Sequence, residues 1–234
     1  MPALSFADVT PGEVLAGTEL FRDLPEAAIE KLLPSVRSRR YARDEHLFRE
    51  GDPASHLYVV TSGQVKIAKS GRDGEEMVFA VVGPGKVFAE LPLFEAEGER
   101  SADAQALEPS ECLVIARAAF LDFCHSHPEV LVRIINALGG YIRRKDQAMA
   151  EVTYLDIPGR VASKLLELAA ANGQEVADGV LITLPLTQRT LAGMVGASRE
   201  NVNRALHVFT ELGYIRHARG EITVLKLEEL RRRA

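Results

Sequence analysis

The chain has 234 residues, 47% of them apolar and 26% charged, with a net charge of −5. That balance fits a globular protein of one large or two modest domains. No apolar run approaches the ~20 residues that cross a bilayer, and no basic-then-apolar leader opens the chain, so membrane and secreted classes are set aside and a cytoplasmic protein is expected.

Only two cysteines occur, Cys112 and Cys124. Neither belongs to a CxxC pair or a Cys/His cluster, so two reduced thiols are expected rather than a zinc or iron–sulfur site. The charge is uneven. Residues 1–153 carry 17 Lys+Arg against 24 Asp+Glu, a net of −7, whereas residues 154–234 carry 11 against 9, a net of +2. An acidic whole can therefore hide an end suited to nucleic acid.

In chain order, residues 19–36 read as a helix, with apolar Leu20, Phe21, Leu24, Ile29, Leu32 and Leu33 and a first-turn proline at Pro25. From about Arg39 to Ala116 the texture is β. LYVV (57–60), VKIA (65–68), MVFAVV (77–82) and CLVIA (112–116) are rich in branched or aromatic residues, with turn signals EGDP, TSG, RDG, GPG and EGE between them. Such short strands predict a small barrel or sandwich.

From Phe120 to about Thr153 the period becomes helical, and Pro128 starts a long helix. Leu131, Ile135, Leu138, Ile142, Lys145, Met149 and Val152 alternate spacings of 4 and 3, a heptad seam. The seam predicts pairing with the same helix of a second subunit, a homodimer through residues 131–152. Its one polar member, Lys145, costs stability there and asks for a reason. Asp156 caps a further helix, Arg160–Ala171, and Pro158 fits its first turn. A polar link, NGQEVADG (172–179), and a β-like VLITLP follow.

Residues 186–215 carry the strongest signal. Thr187 caps a helix holding Leu191, Met194 and Val195. Gly196-Ala197-Ser198 makes a tight turn, and Ser198 caps a second helix, Arg199–Leu212. That helix buries Val202, Leu206, Val208, Phe209 and Leu212 and presents Arg199, Glu200, Asn203 and Arg204 outward. This is the layout of a helix-turn-helix. Arginine pairs with guanine O6 and N7, and glutamate accepts from cytosine N4, so Arg199, Glu200 and Arg204 form a candidate reading set. Residues 213–224 read as strand, turn, strand. This is a wing that offers Arg216, His217 and Arg219 to phosphate. A solvated helix face in a small α domain is the bland alternative, and the wing weighs against it.

EGDPASHLYVVTSGQVKI (50–67), FAELPLF…ERSA (88–102), YLDIPGRVASKLLELA (154–169) and GASRENVNRAL (196–206) together resemble the CRP/FNR superfamily of bacterial transcription regulators, over nearly the whole chain. The resemblance implies an α+β fold in three parts. Residues 1–127 form a cyclic-nucleotide-binding-type β-roll that senses an effector, residues 128–154 a dimerisation helix, and residues 155–234 a winged helix-turn-helix. It implies a homodimer on a two-fold, TGTGA-like site in double-stranded DNA, with Arg199, Glu200 and Arg204 on bases and Ser198 on phosphate. Asn203, Thr187 and Arg219 complete the expected DNA-contacting set, and RNA polymerase is the implied partner.

The resemblance also implies a ligand set. Glu90 matches the residue that holds the ribose 2′-hydroxyl, Arg100 the residue that pairs with the cyclic phosphate, and Ser101 adds a hydroxyl and an N–H. Ala89 and Leu91 flank Glu90. Cyclic AMP is the implied effector. Two departures stand out. Ala89 replaces the glycine of cyclic-AMP binders, and Lys145–Asp146 replaces their Thr-Ser pair on the purine side. The alternative is a member that regulates transcription without a small molecule. Haem and iron–sulfur sensing are not expected: the chain lacks four cysteines, and Ala89 and Leu91 stand where a haem-binding member places Cys and His. A signalling module without DNA function, and an enzyme, are the rival classes. The helix-turn-helix argues against the first. The second lacks a P-loop, a Gly-x-Ser-x-Gly elbow and a metal-ligand cluster.

Overall fold

A computed structural model describes residues 9–71, 75–218 and 220–234. Arg219, expected at the wing, lies outside the described residues. The chain divides into two compact units. The first holds residues up to Lys69 and Phe79–Ile142; the second holds Ser70–Val78 and Arg143–Ala234.

The described residues open with two short helices, α1 (Pro11–Ala16) and α2 (Glu26–Leu32). Thr10 and Glu13 form a reciprocal capping box that starts α1. The helix expected over 19–36 is shorter than its pattern. Asp23 takes a left-handed φ of 61°, and Pro25, expected in a first turn, instead holds the N-cap position just before α2 with no side-chain capping hydrogen bond. Leu20 and Phe21 are buried from a turn, so their apolar spacing reflects packing rather than helix.

Eight strands follow: β1 (Val36–Tyr41), β2 (His46–Phe48), β3 (His56–Ser62), β4 (Val65–Ser70), β5 (Glu76–Val82), β6 (Val87–Phe88), β7 (Asp103–Ala106) and β8 (Ser110–Ala116). They form two four-stranded sheets, ordered β1-β8-β3-β6 and β2-β7-β4-β5. The branched runs read from the sequence are β3, β4, β5 and β8. Two apolar clusters form around these strands. One joins α1, α2, Leu57, Val59, Leu113 and Ile115 to Phe120, Phe123 and Val130. The other contains Tyr41, Tyr58, Val60, Val65, Phe88 and Val114, with Phe48 and Ala89 packed against it.

The next helices are α3 (Arg117–Ser126) and the 27-residue α4 (Pro128–Tyr154). On α4 the expected seam stands largely in solvent: Ile135 is 66% exposed, Ile142 50%, Met149 75% and Val152 60%.

In the second unit α5 (Ile157–Asn172) begins at Asp156, whose carboxylate accepts from the Gly159 N–H at 2.8 Å. Residues 173–182, expected as a link and one strand, are a hairpin of β9 (Gly173–Val176) and β10 (Gly179–Ile182). Helices α6 (Gln188–Val195) and α7 (Arg199–Glu211), strands β11 (Ile215–Ala218) and β12 (Glu221–Val224) and helix α8 (Leu227–Arg231) complete the chain. The sheet order is β11-β12-β10-β9. Val161, Leu165, Leu191, Val202, Leu206, Phe209, Ile215 and Val224 fill this core. Val208 and Leu212, expected inside, are each 42% exposed, because the buried face of α7 follows 202, 205, 206 and 209.

Candidate anion pocket and nucleic-acid interface

The segment Phe88–Ala102 carries one carboxylate, Glu90, and one buried cation, Arg100. Ala89 takes φ +66°, a left-handed conformation that costs a residue with a Cβ ~1–2 kcal/mol. The turn carries the chain into a single 3₁₀ turn, Leu91–Phe94, with Glu90 at its start. Gly98 brings the loop back. A Cβ there would lie 1.9 Å from the Pro92 carbonyl oxygen, so only glycine allows the approach. The Arg100 N–H then donates to Asp52 O at 2.9 Å, and its carbonyl accepts from the Gly51 N–H at 2.8 Å.

Arg100 is 3% exposed. Its Nη1 donates to Ala89 O at 2.9 Å, its Nη2 donates to His56 O, and the guanidinium lies 4.3 Å from the Phe48 ring centroid. Burial draws its pKa below the ordinary arginine value, against support from Tyr58 and Asp52. A guanidinium nevertheless stays charged. Its buried Nε has no hydrogen-bond partner. Desolvation likewise pushes the Glu90 carboxyl above its ordinary value. Burial, with Arg39 and Arg100, draws the His56 imidazole down.

A buried fixed cation with an unpartnered Nε suits a phosphate diester, which brings a single delocalised negative charge. Ala89, Glu90, Leu91, Arg100 and Ser101 lie along this one loop in the first unit; Ser101 and Leu91 are exposed. Lys145, half-buried, and Asp146, exposed, belong to the second unit. Phe48, Tyr58 and His56 form part of the Arg100 surroundings. Sequence reasoning did not single them out, because their relation to Arg100 spans more than forty positions.

The helix-turn-helix is defined by its caps. Thr187 Oγ1 accepts from the Thr190 N–H at 3.0 Å, and Ser198 Oγ accepts from the Asn201 N–H at 3.3 Å. Gly196 ends α6 at φ +62°, which glycine adopts without strain. The structure adds Arg160, whose Nη1 donates to Val195 O at 2.9 Å and Gly196 O at 3.3 Å. A fixed cation thus meets the C-terminal carbonyls of α6. Arg199, Glu200, Asn203 and Arg204 are all exposed on α7. Gln188, unremarked in the sequence, bridges two of them: its Nε2 donates to Asn203 Oδ1 at 2.9 Å, and its Oε1 accepts from Arg199 Nε at 3.4 Å. In the wing, Arg216 is not left at the rim but pairs with Asp178 on the β9–β10 turn.

Residues 38–127 match the cyclic nucleotide-binding domain family, and residues 159–233 match the Crp-like helix-turn-helix domain family. A "CRP-like cAMP-activated global transcriptional regulator" of Mycobacterium tuberculosis is 33% identical over 222 residues, 95% of this chain and 99% of that protein. The chain belongs to the CRP/FNR family. It is a DNA-binding transcription regulator, and the CRP-like regulators it matches are not enzymes. The Cyclic AMP receptor protein of Thermus thermophilus is 31% identical over 219 residues, 92% of this chain and 98% of that protein. Among solved structures, the c-di-GMP-responsive global regulator CLP of Xanthomonas campestris superposes with a TM-score of 0.74 at 25% identity, covering 86% of this chain and 99% of that chain. The fold is that of the family: a β-rich nucleotide-binding-type region, the long α4 and a C-terminal helix-turn-helix. Among the described residues no helix is long and apolar enough to cross a membrane.

Proposed function

We propose that this chain is a cytoplasmic, homodimeric regulator whose affinity for DNA is set by a cyclic nucleotide, with cyclic AMP first among the candidates. The observation that carries the effector reading is Arg100, 3% exposed with an unpartnered Nε beside the Glu90 loop. An anion with two adjacent oxygens meets that donor, and Glu90 is the acceptor for a sugar hydroxyl. The relatives named as cAMP-activated or as a cyclic AMP receptor support the choice. In this reading residues 1–127 sense the effector, 128–154 pair the subunits through the exposed seam, and 155–234 bind DNA. Arg199, Glu200, Asn203 and Arg204 face bases of a TGTGA-like half-site. Thr187, Ser198 and Arg219 face the backbone, and RNA polymerase is the protein partner. Two half-sites about one helical turn apart follow from two-fold symmetry.

Two observations favour a second reading, activity without an effector. The Ala89 methyl stands at φ +66° where cyclic-AMP binders carry glycine, and Lys145–Asp146 replace the purine-facing pair. Titration of DNA affinity with and without cyclic AMP and cyclic GMP separates the two. Under the first reading one nucleotide tightens specific binding in wild type and has no effect on Arg100→Leu. Unchanged DNA affinity together with a flat calorimetric titration for wild type overturns it.

A further inference from the structure

Gln188, the first residue of α6, stands between two members of the reading set on α7. Its oxygen accepts from Arg199 Nε and its amide nitrogen donates to Asn203 Oδ1. The direction of this relay is chemically fixed. A guanidinium has donors and no acceptor, so Gln188 must turn its oxygen to Arg199. The other end of Gln188 is then an NH₂, and Asn203 must meet it with its oxygen. What Asn203 has left for a partner is its own NH₂.

We propose that Gln188 is a specificity-determining residue, which fixes Asn203 as a hydrogen-bond donor in the DNA groove. The inference rests on α7 entering the major groove. An asparagine with both groups free pairs bidentately with adenine, accepting from N6 and donating to N7. The oxygen keeps a second lone pair, but the Gln188 contact turns it toward the start of α6 and turns the NH₂ away, so the amide does not present both groups side by side to one adenine. The base beneath it is one that shows an unaccompanied acceptor, guanine (O6 and N7) or thymine (O4). Gln188 acts through Asn203 and Arg199 and is therefore a positioning residue, yet its effect appears as base identity.

The polarity is reversible by one isosteric substitution. In Gln188→Glu the carboxylate has acceptors only. It accepts from both Arg199 Nε and the Asn203 NH₂, which turns the Asn203 oxygen outward. The preferred base then becomes one that donates, adenine through N6 or cytosine through N4. Gln188→Leu removes both contacts and restores the bidentate adenine mode.

The test is selection of bound sequences from a randomised duplex pool by the full chain at one fixed salt concentration, using wild type, Gln188→Glu, Gln188→Leu and Asn203→Ala. Circular dichroism and affinity for random DNA verify that each variant is folded. Asn203→Ala is expected to flatten one position in each half-site. At that position wild type selects guanine or thymine, and Gln188→Glu moves the preference to adenine or cytosine by about tenfold or more. If Asn203→Ala flattens a position that Gln188→Glu leaves unchanged, the relay is refuted while α7 stands as the reading helix. Wild-type preference for adenine at that position, or no flattening by Asn203→Ala, also overturns the relay. A wild type that selects no sequence removes α7 as a reading helix, and the inference falls with it.

Discussion

Ile142 lies in the middle of the α4 seam and is the sharpest test of the pairing surface. It is 50% exposed, and fully burying an isoleucine side chain stabilises by ~1.5–3 kcal/mol, so about half of that remains for a partner helix to supply. Truncation in Ile142→Ala removes most of the remainder, and two-fold symmetry counts the loss twice. The expected weakening is ~1–2 kcal/mol, or ~5–30-fold in the dimer dissociation constant. Sedimentation equilibrium over a dilution series measures that constant directly. Tyr154→Ala is the control: Tyr154 is exposed, but it lies two residues past Val152 and off the seam. Equal losses for both variants, or a wild type that sediments as a monomer, would refute pairing through 131–152.

Lys145→Leu is expected to lower the same dissociation constant and to weaken any dependence of DNA binding on effector, because an apolar residue replaces the seam's one cation; unchanged values would contradict it. Arg199→Ala and Arg204→Ala should each weaken specific DNA binding by ~1–3 kcal/mol and leave random DNA much less affected. Equal losses on both in a competition assay sink their base-reading role. Glu90 carries a pH prediction. Its folded carboxyl is raised by burial, so its contribution to stability is present below the unfolded value of ~4.3 and is lost as pH rises through the raised folded value. Glu90→Gln should therefore melt higher than wild type at pH 7 and at nearly the same temperature at pH 4. A difference that does not grow between the two pH values would refute the desolvation.

The strands were legible where branched residues run between glycine turns, as in 57–60 and 112–116. The helix-turn-helix was legible because its caps, its glycine and its apolar positions are all local. The first helices were misplaced because Leu20 and Phe21 have helical spacing yet pack from a turn at Asp23. GQEV reads as link because it is polar, and its pairing with β10, which makes it a strand, is not visible in composition. The Arg100 surroundings and the Gln188 relay were not legible at all. They depend on residues 44 and 15 positions apart that only the fold brings to hydrogen-bonding distance, through a backbone carbonyl of His56 in the first case and two side chains in the second.

The unpartnered Nε of Arg100 has a practical consequence for finding the effector. A buried donor left unsatisfied costs a fold ~1–3 kcal/mol, so under the effector reading proposed above an anion that meets this donor raises the stability of the region. Ligand linkage adds to this, at ~2.7 kcal/mol when the ligand stands at a hundred times its dissociation constant. Melting temperature is thus a direct ranking of candidate effectors. A panel of cyclic mononucleotides, cyclic dinucleotides and simple phosphates, screened on unlabelled protein in the absence of DNA, can identify the natural ligand before any target gene is known.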